Sequence, residues 1–176
     1  MIIKGIKIIR NKNFFDYRGH FKEILKEKII KKKFPFIVMS QSKQNVLRGL
    51  HIQTKNSQGK YISVLKGKIF DVSIDLRKSS KTYGKYFSCI LSEKNAKSIY
   101  IPEGFAHGFY SLGKDNIVIY SCTKYRDKKS EKSIIYNDKD LNINWPIKNK
   151  KIIISKKDRS AQTFAEYNIR KKWKKK

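Results

Sequence analysis

Two glycine-flanked histidines are the side chains of this chain best suited to chemistry. His51 lies in the segment RGLHIQ at 48–53, and His107 lies in IPEGFAHGF at 101–109. Histidine can accept and return protons near neutral pH, and the neighbouring glycines allow a ligand to approach the backbone closely. Either histidine alone could be a satisfied core residue beside a tight turn. Together they predict a pocket with proton-transfer chemistry.

The remaining metal-binding residue types argue against a metal centre. The sequence contains 3 histidines, and Gln53 stands where a strand-borne H-x-H pair would place its second ligand. Cys89 and Cys122 do not form a closely spaced metal motif. We expect them to be reduced, buried thiols, with a disulfide between them as the alternative. The sequence therefore favours a metal-free site.

The relation of Arg48 to His51 depends on the glycine between them. In a regular strand, His51 and Gln53 point to one face and Arg48 points to the other. A bulge at Gly49 would allow both Arg48 and His51 to reach the same pocket.

The charge of the chain is strongly positive, at +28 with 42 Lys and Arg against 14 Asp and Glu. Such a charge can bind nucleic acid when the basic residues are clustered. Here most of the lysines are spread along the sequence, apart from residues 31–33 and a basic tail at 170–176. We expect these two clusters to be a solvated loop and tail, and nucleic acid is an unlikely partner.

The length of 176 residues fits one domain, which we place at 1–176. There is no apolar run long enough for a membrane span, and residues 1–10 alternate Ile with Lys instead of forming a signal-peptide core. These features predict a soluble, cytoplasmic protein.

The chain is rich in short runs typical of strands, separated by turn signals, which favours an antiparallel sandwich or barrel. Residues 71–76 alternate polar with apolar side chains and predict a half-buried strand after a turn at 66–68. The polar stretch 130–144 is expected to be irregular, and residues 161–172 could form a short helix. The other predicted strands are 2–9, 36–41, 47–53, 86–91, 98–101, 108–112 and 117–124.

Several motifs in order resemble the dTDP-4-dehydrorhamnose 3,5-epimerase family of nucleotide-sugar epimerases. Besides the two histidine motifs, they are DYRGHFKE at 16–23, YND at 136–138, WP at 145–146 and SKKDR at 155–159. The resemblance implies an all-β, cupin-like jelly-roll barrel or sandwich with a short C-terminal helical segment. It also implies a homodimer that binds a nucleotide-diphosphate sugar and needs no metal or organic cofactor.

The implied reaction explains the residue types. A 4-keto group acidifies the hydrogens at C3 and C5 of a sugar, so a base can remove a proton and an acid can return one to the opposite face. In the family pattern, His51 is the base, Asp158 orients it, Tyr120 is the acid and Lys60 stabilises the enolate oxygen. His107 would hold the sugar or its keto oxygen. Without the resemblance, Asp158 would be read as an exposed loop carboxylate and Tyr120 as a core aromatic.

The nucleotide-diphosphate end of the substrate is expected to lie against a second set of residues. In a dimer of this family, the segment 18–23 is expected to complete the neighbour's site. The set comprises Arg18, Phe21, Glu23, Gln41, Arg48, Glu131 and Lys157.

Two departures from the family pattern concern nucleotide recognition. The segment 41–46 is shorter than the usual loop and lacks an expected asparagine, and Tyr125-Arg126 replaces a tyrosine pair. The sequence therefore leaves open whether the substrate is GDP-linked or a heptose. It also leaves open whether C3, C5 or both are inverted. The alternative functions are a 3,4-ketoisomerase on the same scaffold and a noncatalytic basic cupin that binds nucleic acid.

Overall fold

The computed structural model describes residues 3–147 and 151–172 and is built almost entirely from short strands. In chain order the elements are β1 (Lys7–Arg10), β2 (Asn13–Asp16), β3 (Gly19–Lys22), α1 (Glu27–Ile30), β4 (Phe36–Lys43), β5 (Val46–Gln53), β6 (Lys60–Lys66), β7 (Lys68–Asp75), β8 (Tyr86–Ser92), β9 (Lys97–Ile101), β10 (Phe105–Ser111), β11 (Asp115–Cys122), β12 (Glu131–Ser133), β13 (Ile153–Ile154), α2 (Lys156–Arg159) and α3 (Phe164–Lys172).

Two sheets pack face to face. One has the order β1-β9-β6-β11-β4, and the other has the order β12-β5-β10-β7-β8 with β13 beside β5. Apolar side chains from both sheets fill the space between them and form the main core, which includes Ile62, Val64, Val118, Ile69, Phe105 and Phe109. The sheets form a sandwich, which confirms the all-β prediction.

The outer faces of both sheets are also covered. Tyr167 of α3 and Leu141 of the preceding loop pack on the outer side of the second sheet, against Leu50 and Val72. Ile30 and Phe34 cover the first sheet against Tyr61. Because both faces are covered, the central strands are buried on both sides, and every residue of β10 is buried.

The strand predicted at 71–76 is present in β7, but the prediction that it is half-buried is wrong. Asp71, Ser73 and Asp75 are as fully buried as the apolar residues between them. The alternation is real, but its polar side faces other buried groups instead of water, since Asp71 pairs with His107 and Asp75 with Arg77.

The segment 130–144 is more ordered than the sequence predicts. It contains β12, which pairs with β5, and its apolar residues Ile134 and Leu141 are buried. The expected terminal helix is confirmed as α3, whereas the basic tail at 170–176 lies largely outside the described residues. Lys31, Lys32 and Lys33 are exposed, as expected for a solvated loop. Cys122 is a buried free thiol, and Cys89 is a half-buried one.

The hairpin of β2 and β3 forms a separate two-stranded sheet. It is fastened to the sandwich by Lys22, whose Nζ donates to the Val64 carbonyl over 2.9 Å. Its aromatic side chains are unusually exposed, with Phe15 at 75%, Tyr17 at 98% and Phe21 at 68%. No helix of the described residues is long and apolar enough to cross a membrane.

Candidate active site

A bulge in β5 brings Arg48 and His51 to one cavity. His107 of β10 is opposite His51, but Phe109, two residues later, is opposite Arg48, three residues earlier on β5. The extra residue fits because Gly49 has φ +122° and a Cβ there would lie 2.5 Å from the Gly108 Cα. The structure thus contains the bulge that allows Arg48 and His51 to reach one pocket, and both side chains line the cavity.

The cavity has a volume of about 770 Å³, which is within the usual range for sites that bind small molecules. It is lined by β5 and β10 of one sheet, by β4, β6 and β11 of the other, and by the segment around α2. Eight of the residues predicted to form the site lie in it: His51, Asp158, Tyr120, Lys60, His107, Arg48, Glu131 and Lys157.

His51 and Asp158 form the first of two histidine–carboxylate pairs. The His51 Nε2 lies 2.7 Å from the Asp158 Oδ1, with the imidazole 31% exposed and the carboxylate 7% exposed. Burial opposes ionisation of Asp158, but the His51 hydrogen bond and charge, the Gly49 amide and Ser155 together lower its pKa. An ionised Asp158 accepts the Nε2 proton, which leaves the lone pair of His51 on Nδ1.

Asp158 is held in place by its own local structure. Ser155 caps α2 by accepting the Asp158 backbone N–H over 3.1 Å. Just before this turn, β13 runs parallel to the start of β5, with Ile153 opposite Val46. Asp158 is thus a buried carboxylate fixed beside β5 and not an exposed loop residue.

His107 and Asp71 form the second pair, deeper in the protein. The His107 Nε2 lies 2.7 Å from the Asp71 Oδ2, and both side chains are at most 3% exposed. The ring of Tyr120 meets the His107 ring edge-on, with their centroids 6.1 Å apart. His107 is therefore rigidly oriented next to the tyrosine.

Tyr120 brings a phenol to the cavity from the sheet opposite His51. Its hydroxyl lies 3.1 Å from the Ser40 Oγ. Burial raises the pKa of Tyr120 well above its usual value, against smaller opposing effects of Ser40 and Arg48. The phenol stays protonated at neutral pH and can donate a proton or a hydrogen bond.

Lys60 adds a partly desolvated cation to the same cavity. Burial lowers the pKa of its ammonium, while the charges of Cys122, Glu131 and Asp71 act in the opposite direction. Among the described residues, no carboxylate lies within 4.0 Å of its Nζ. The ammonium can therefore interact with a negative charge that develops on a ligand.

Comparison with known proteins identifies the family of the chain. A family model for dTDP-4-dehydrorhamnose 3,5-epimerase matches residues 1–166. A dTDP-4-dehydrorhamnose 3,5-epimerase of Methanothermobacter thermautotrophicus is 40% identical over 170 residues, covering 93% of this chain and 92% of its own length. The chain belongs to this family.

Two further epimerases of the family are similar to the chain. The relative from Neisseria gonorrhoeae is 40% identical over 93% of this chain, and the chain spans only 51% of that protein. The crystal structure of the Legionella pneumophila epimerase in complex with dTDP-4-keto-L-rhamnose has a TM-score of 0.88 at 40% identity, covering 93% of this chain and 89% of its own. The predicted family, isomerase class and cupin-like fold are thereby confirmed.

Four residues expected from the epimerase family lie outside this cavity. Gln41 points to the neighbouring surface, where its Nε2 donates to the Asp115 Oδ1 over 3.1 Å. Arg18 and Phe21 are exposed on the separate hairpin, and Arg18 pairs with Asp16. Glu23, just after that hairpin, pairs with Lys26.

Three residues in or beside the candidate site were not predicted from the sequence. Asp71 looks like one polar residue of an ordinary alternating strand, and Ser40 gives no signal at all. Arg126 appeared only as a departure from the family pattern, yet it lines the cavity. Among the described residues, no group of three or more His, Cys, Asp or Glu side chains is placed to hold a metal ion.

Proposed function

We propose that the protein inverts C3, C5 or both of a dTDP-linked 4-keto-6-deoxy sugar. The observation that carries this proposal is the arrangement of the cavity in a chain of this family. The His51–Asp158 pair lies on one sheet and the protonated phenol of Tyr120 comes from the other. A sugar between the sheets would have a base and an acid available from two directions.

The proposed reaction proceeds through an enolate. The Nδ1 of His51 removes the proton from the carbon next to the 4-keto group. The C–H bonding electrons form a C=C bond, and the π electrons of the carbonyl move onto the keto oxygen. Asp158 stabilises the resulting imidazolium, and the ammonium of Lys60 stabilises the enolate oxygen. Tyr120 then donates its proton to the opposite face of the carbon as the carbonyl re-forms. The starting state returns when Tyr120 takes a proton from solvent and His51 releases one to solvent. Inversion follows because the proton leaves one face and returns to the other.

The nucleotide specificity is proposed from the relatives. The Legionella structure contains a dTDP-linked 4-keto sugar, which supports dTDP as the nucleotide here. The turn between β4 and β5 is a tight hairpin, with Asn45 at φ +64°. Comparing dTDP-linked with GDP-linked substrate, by kcat/KM, tests whether this short turn has changed nucleotide recognition.

A homodimer is part of the proposal. Arg18 and Phe21 lie on a hairpin that projects from the sandwich, outside the cavity of their own chain. The edge strand β4 also exposes Ile37 at 60% and Met39 at 61%. A second copy would cover such apolar groups and receive the hairpin in its own site. The single-domain organisation over 1–176 and the cytoplasmic location stay predictions.

Product analysis tests the proposal against its enzymatic rival. We expect the protein to convert dTDP-4-keto-6-deoxyglucose into an epimer whose carbonyl stays at C4, as NMR would show. A product with the carbonyl at C3 would instead identify a ketoisomerase. The nucleic-acid-binding alternative is not favoured, because it gives no role to the paired histidines.

A further inference from the structure

Three charged side chains form a cluster on the cavity wall that we call the rim triad: Arg126, Glu131 and Lys157. The Arg126 Nε and one terminal nitrogen lie 2.9 and 2.8 Å from the Glu131 Oε2. The Lys157 Nζ donates to the Glu131 Oε1 over 2.7 Å. Glu131 is 10% exposed, whereas the side chains of Arg126 and Lys157 are 50% and 58% exposed. The buried carboxylate therefore holds two cations whose outer parts are accessible.

The charges that line the cavity are not balanced. Its cationic side chains are Arg48, Lys60, Arg126 and Lys157, and its carboxylates are Glu131 and Asp158. Four cationic side chains therefore face two carboxylates, so the lining has an excess of positive charge. Arg126 has five N–H donors, and its contacts with Glu131 use two nitrogens. The remaining donors suit an anionic ligand.

The backbone on both sides of Arg126 is fixed to the strand that carries His51. The Gln53 side chain accepts the Asp127 N–H over 2.9 Å, and its Nε2 lies 3.4 Å from the Tyr125 carbonyl. Gln53 is buried, and Glu131 is its direct neighbour on β12. Arg126 is thus held at a defined place relative to His51 before any ligand binds, which reduces the entropy lost on binding.

We propose that Arg126 binds a phosphate oxygen of the substrate's diphosphate and determines specificity for that group. This inference rests on the proposed function. A planar guanidinium matches the oxygens of a phosphate, and Glu131 orients it by occupying its inner edge. The outer edge is left for the ligand, beside the second cation of the rim triad.

Binding measurements with dTDP and thymidine test this role without relying on turnover. We expect Arg126→Ala to weaken dTDP binding about tenfold, as for loss of a hydrogen bond to a charged group, and to leave thymidine binding unchanged. Arg126→Lys keeps the charge but not the fork, so its dTDP affinity should be intermediate. The matched control is Lys128→Ala, which removes the same charge at an exposed position outside the cavity lining.

Two results would overturn the inference. One is unchanged dTDP affinity in Arg126→Ala, and the other is an equal loss for thymidine and dTDP, which would indicate contact with the base. Isothermal titration of the wild-type protein with dTDP distinguishes these two results from a failure of the proposed function, because it shows whether the unaltered protein binds dTDP at all. A wild-type protein that neither binds dTDP nor epimerises the 4-keto sugar would refute the function itself.

Combining Arg126→Ala with Glu131→Gln distinguishes direct binding of dTDP by Arg126 from an indirect effect through Glu131. Glu131→Gln removes the negative charge that Arg126 neutralises. If Arg126 contacts the diphosphate, Arg126→Ala should still weaken dTDP binding several-fold in the Glu131→Gln protein. Disappearance of the effect in that background would mean that Arg126 only screens Glu131, contrary to the inference.

Discussion

The Asp158 carboxylate lies 2.7 Å from the His51 imidazole, although 107 residues separate them in the chain. The contact depends on β13 and α2, which return the chain to the strand that carries His51. Because the pKa of Asp158 is lowered, the carboxylate is ionised at neutral pH and fixes the proton of His51 on Nε2. The lone pair needed for catalysis is thereby kept on Nδ1.

Replacing either member of this pair should reduce catalysis strongly. We expect His51→Ala to lower kcat/KM by about 10²–10⁴-fold through loss of the base. Asp158→Asn should also lower kcat/KM, because the His51 proton is no longer fixed on Nε2 and the His51 imidazolium is no longer stabilised by a negative charge. Since the two act as one unit, the double variant should be no slower than His51→Ala alone. Losses that multiply in the double variant would show that Asp158 has a separate role.

Tyr120→Phe should separate proton removal from proton return. The variant keeps the ring that packs against His107 but loses the hydroxyl near Ser40. We expect it to exchange substrate hydrogen with solvent while forming little inverted product, as followed by NMR. The control is Ser40→Ala, which keeps the phenol and should still invert the carbon. Normal yields of epimer from Tyr120→Phe would exclude this residue as the acid.

The activity should decline at alkaline pH because Lys60 loses its proton. Burial lowers the Lys60 pKa below its ordinary value of 10.5, whereas the Tyr120 pKa is raised. The alkaline limb of kcat/KM should therefore lie below pH 10.5. Lys60→Arg should move the limb upward, because a guanidinium keeps its charge there. An unmoved limb in Lys60→Arg would assign the titration to another group.

The hairpin proposal is tested by mixing two inactive variants. If Arg18 completes the partner's site, Arg18→Glu and His51→Ala should each be impaired in separate homodimers. A mixed dimer would contain one site with an intact His51 and an intact hairpin. Activity should therefore return after the two proteins are mixed and exchanged. No recovery in a mixture shown to form heterodimers would place Arg18 in its own chain's site or in none.

Asp75 is the clearest stability determinant outside the site. It is fully buried and accepts hydrogen bonds from Arg77, Ser80 and Thr82, over 2.8, 2.6 and 2.7 Å. Burial alone would raise the Asp75 pKa, but these partners lower it well below the ordinary value of 3.8. This contribution is present above the unfolded-state pKa and is lost as the pH falls through the lower folded-state pKa.

Asp75→Asn should lower the free energy of unfolding by about 1–3 kcal/mol, because it removes the charge-assisted hydrogen bonds from Arg77, Ser80 and Thr82. The exposed Asp140→Asn is the control and should change it by less than about 0.5 kcal/mol. Denaturant unfolding at pH 7 and at acid pH measures both. Below about pH 4, the difference between wild type and Asp75→Asn should shrink, and a constant difference would contradict the linkage.

The sequence was most informative where glycine and histidine occur together. Gly49 left two arrangements open, opposite faces for Arg48 and His51 in a regular strand or one pocket with a bulge, and the structure contains the bulge. Asp71 was not recognisable, because a polar residue alternating with Val and Ile normally faces water, and only the covering of both sheet faces buries it. Exposure of Arg18 and Phe21 also could not be predicted, since it depends on how a short hairpin leaves the sandwich.

In the proposed reaction, His51 removes a proton next to the 4-keto group. The most direct measurement is to incubate the protein with dTDP-4-keto-6-deoxyglucose in deuterium oxide and to locate deuterium by NMR and mass spectrometry. We expect deuterium at C3, C5 or both with wild-type protein, and almost none with His51→Ala. Incorporation that is equally fast with His51→Ala, or no incorporation with wild-type protein from dTDP- or GDP-linked substrates, would contradict the proposed reaction.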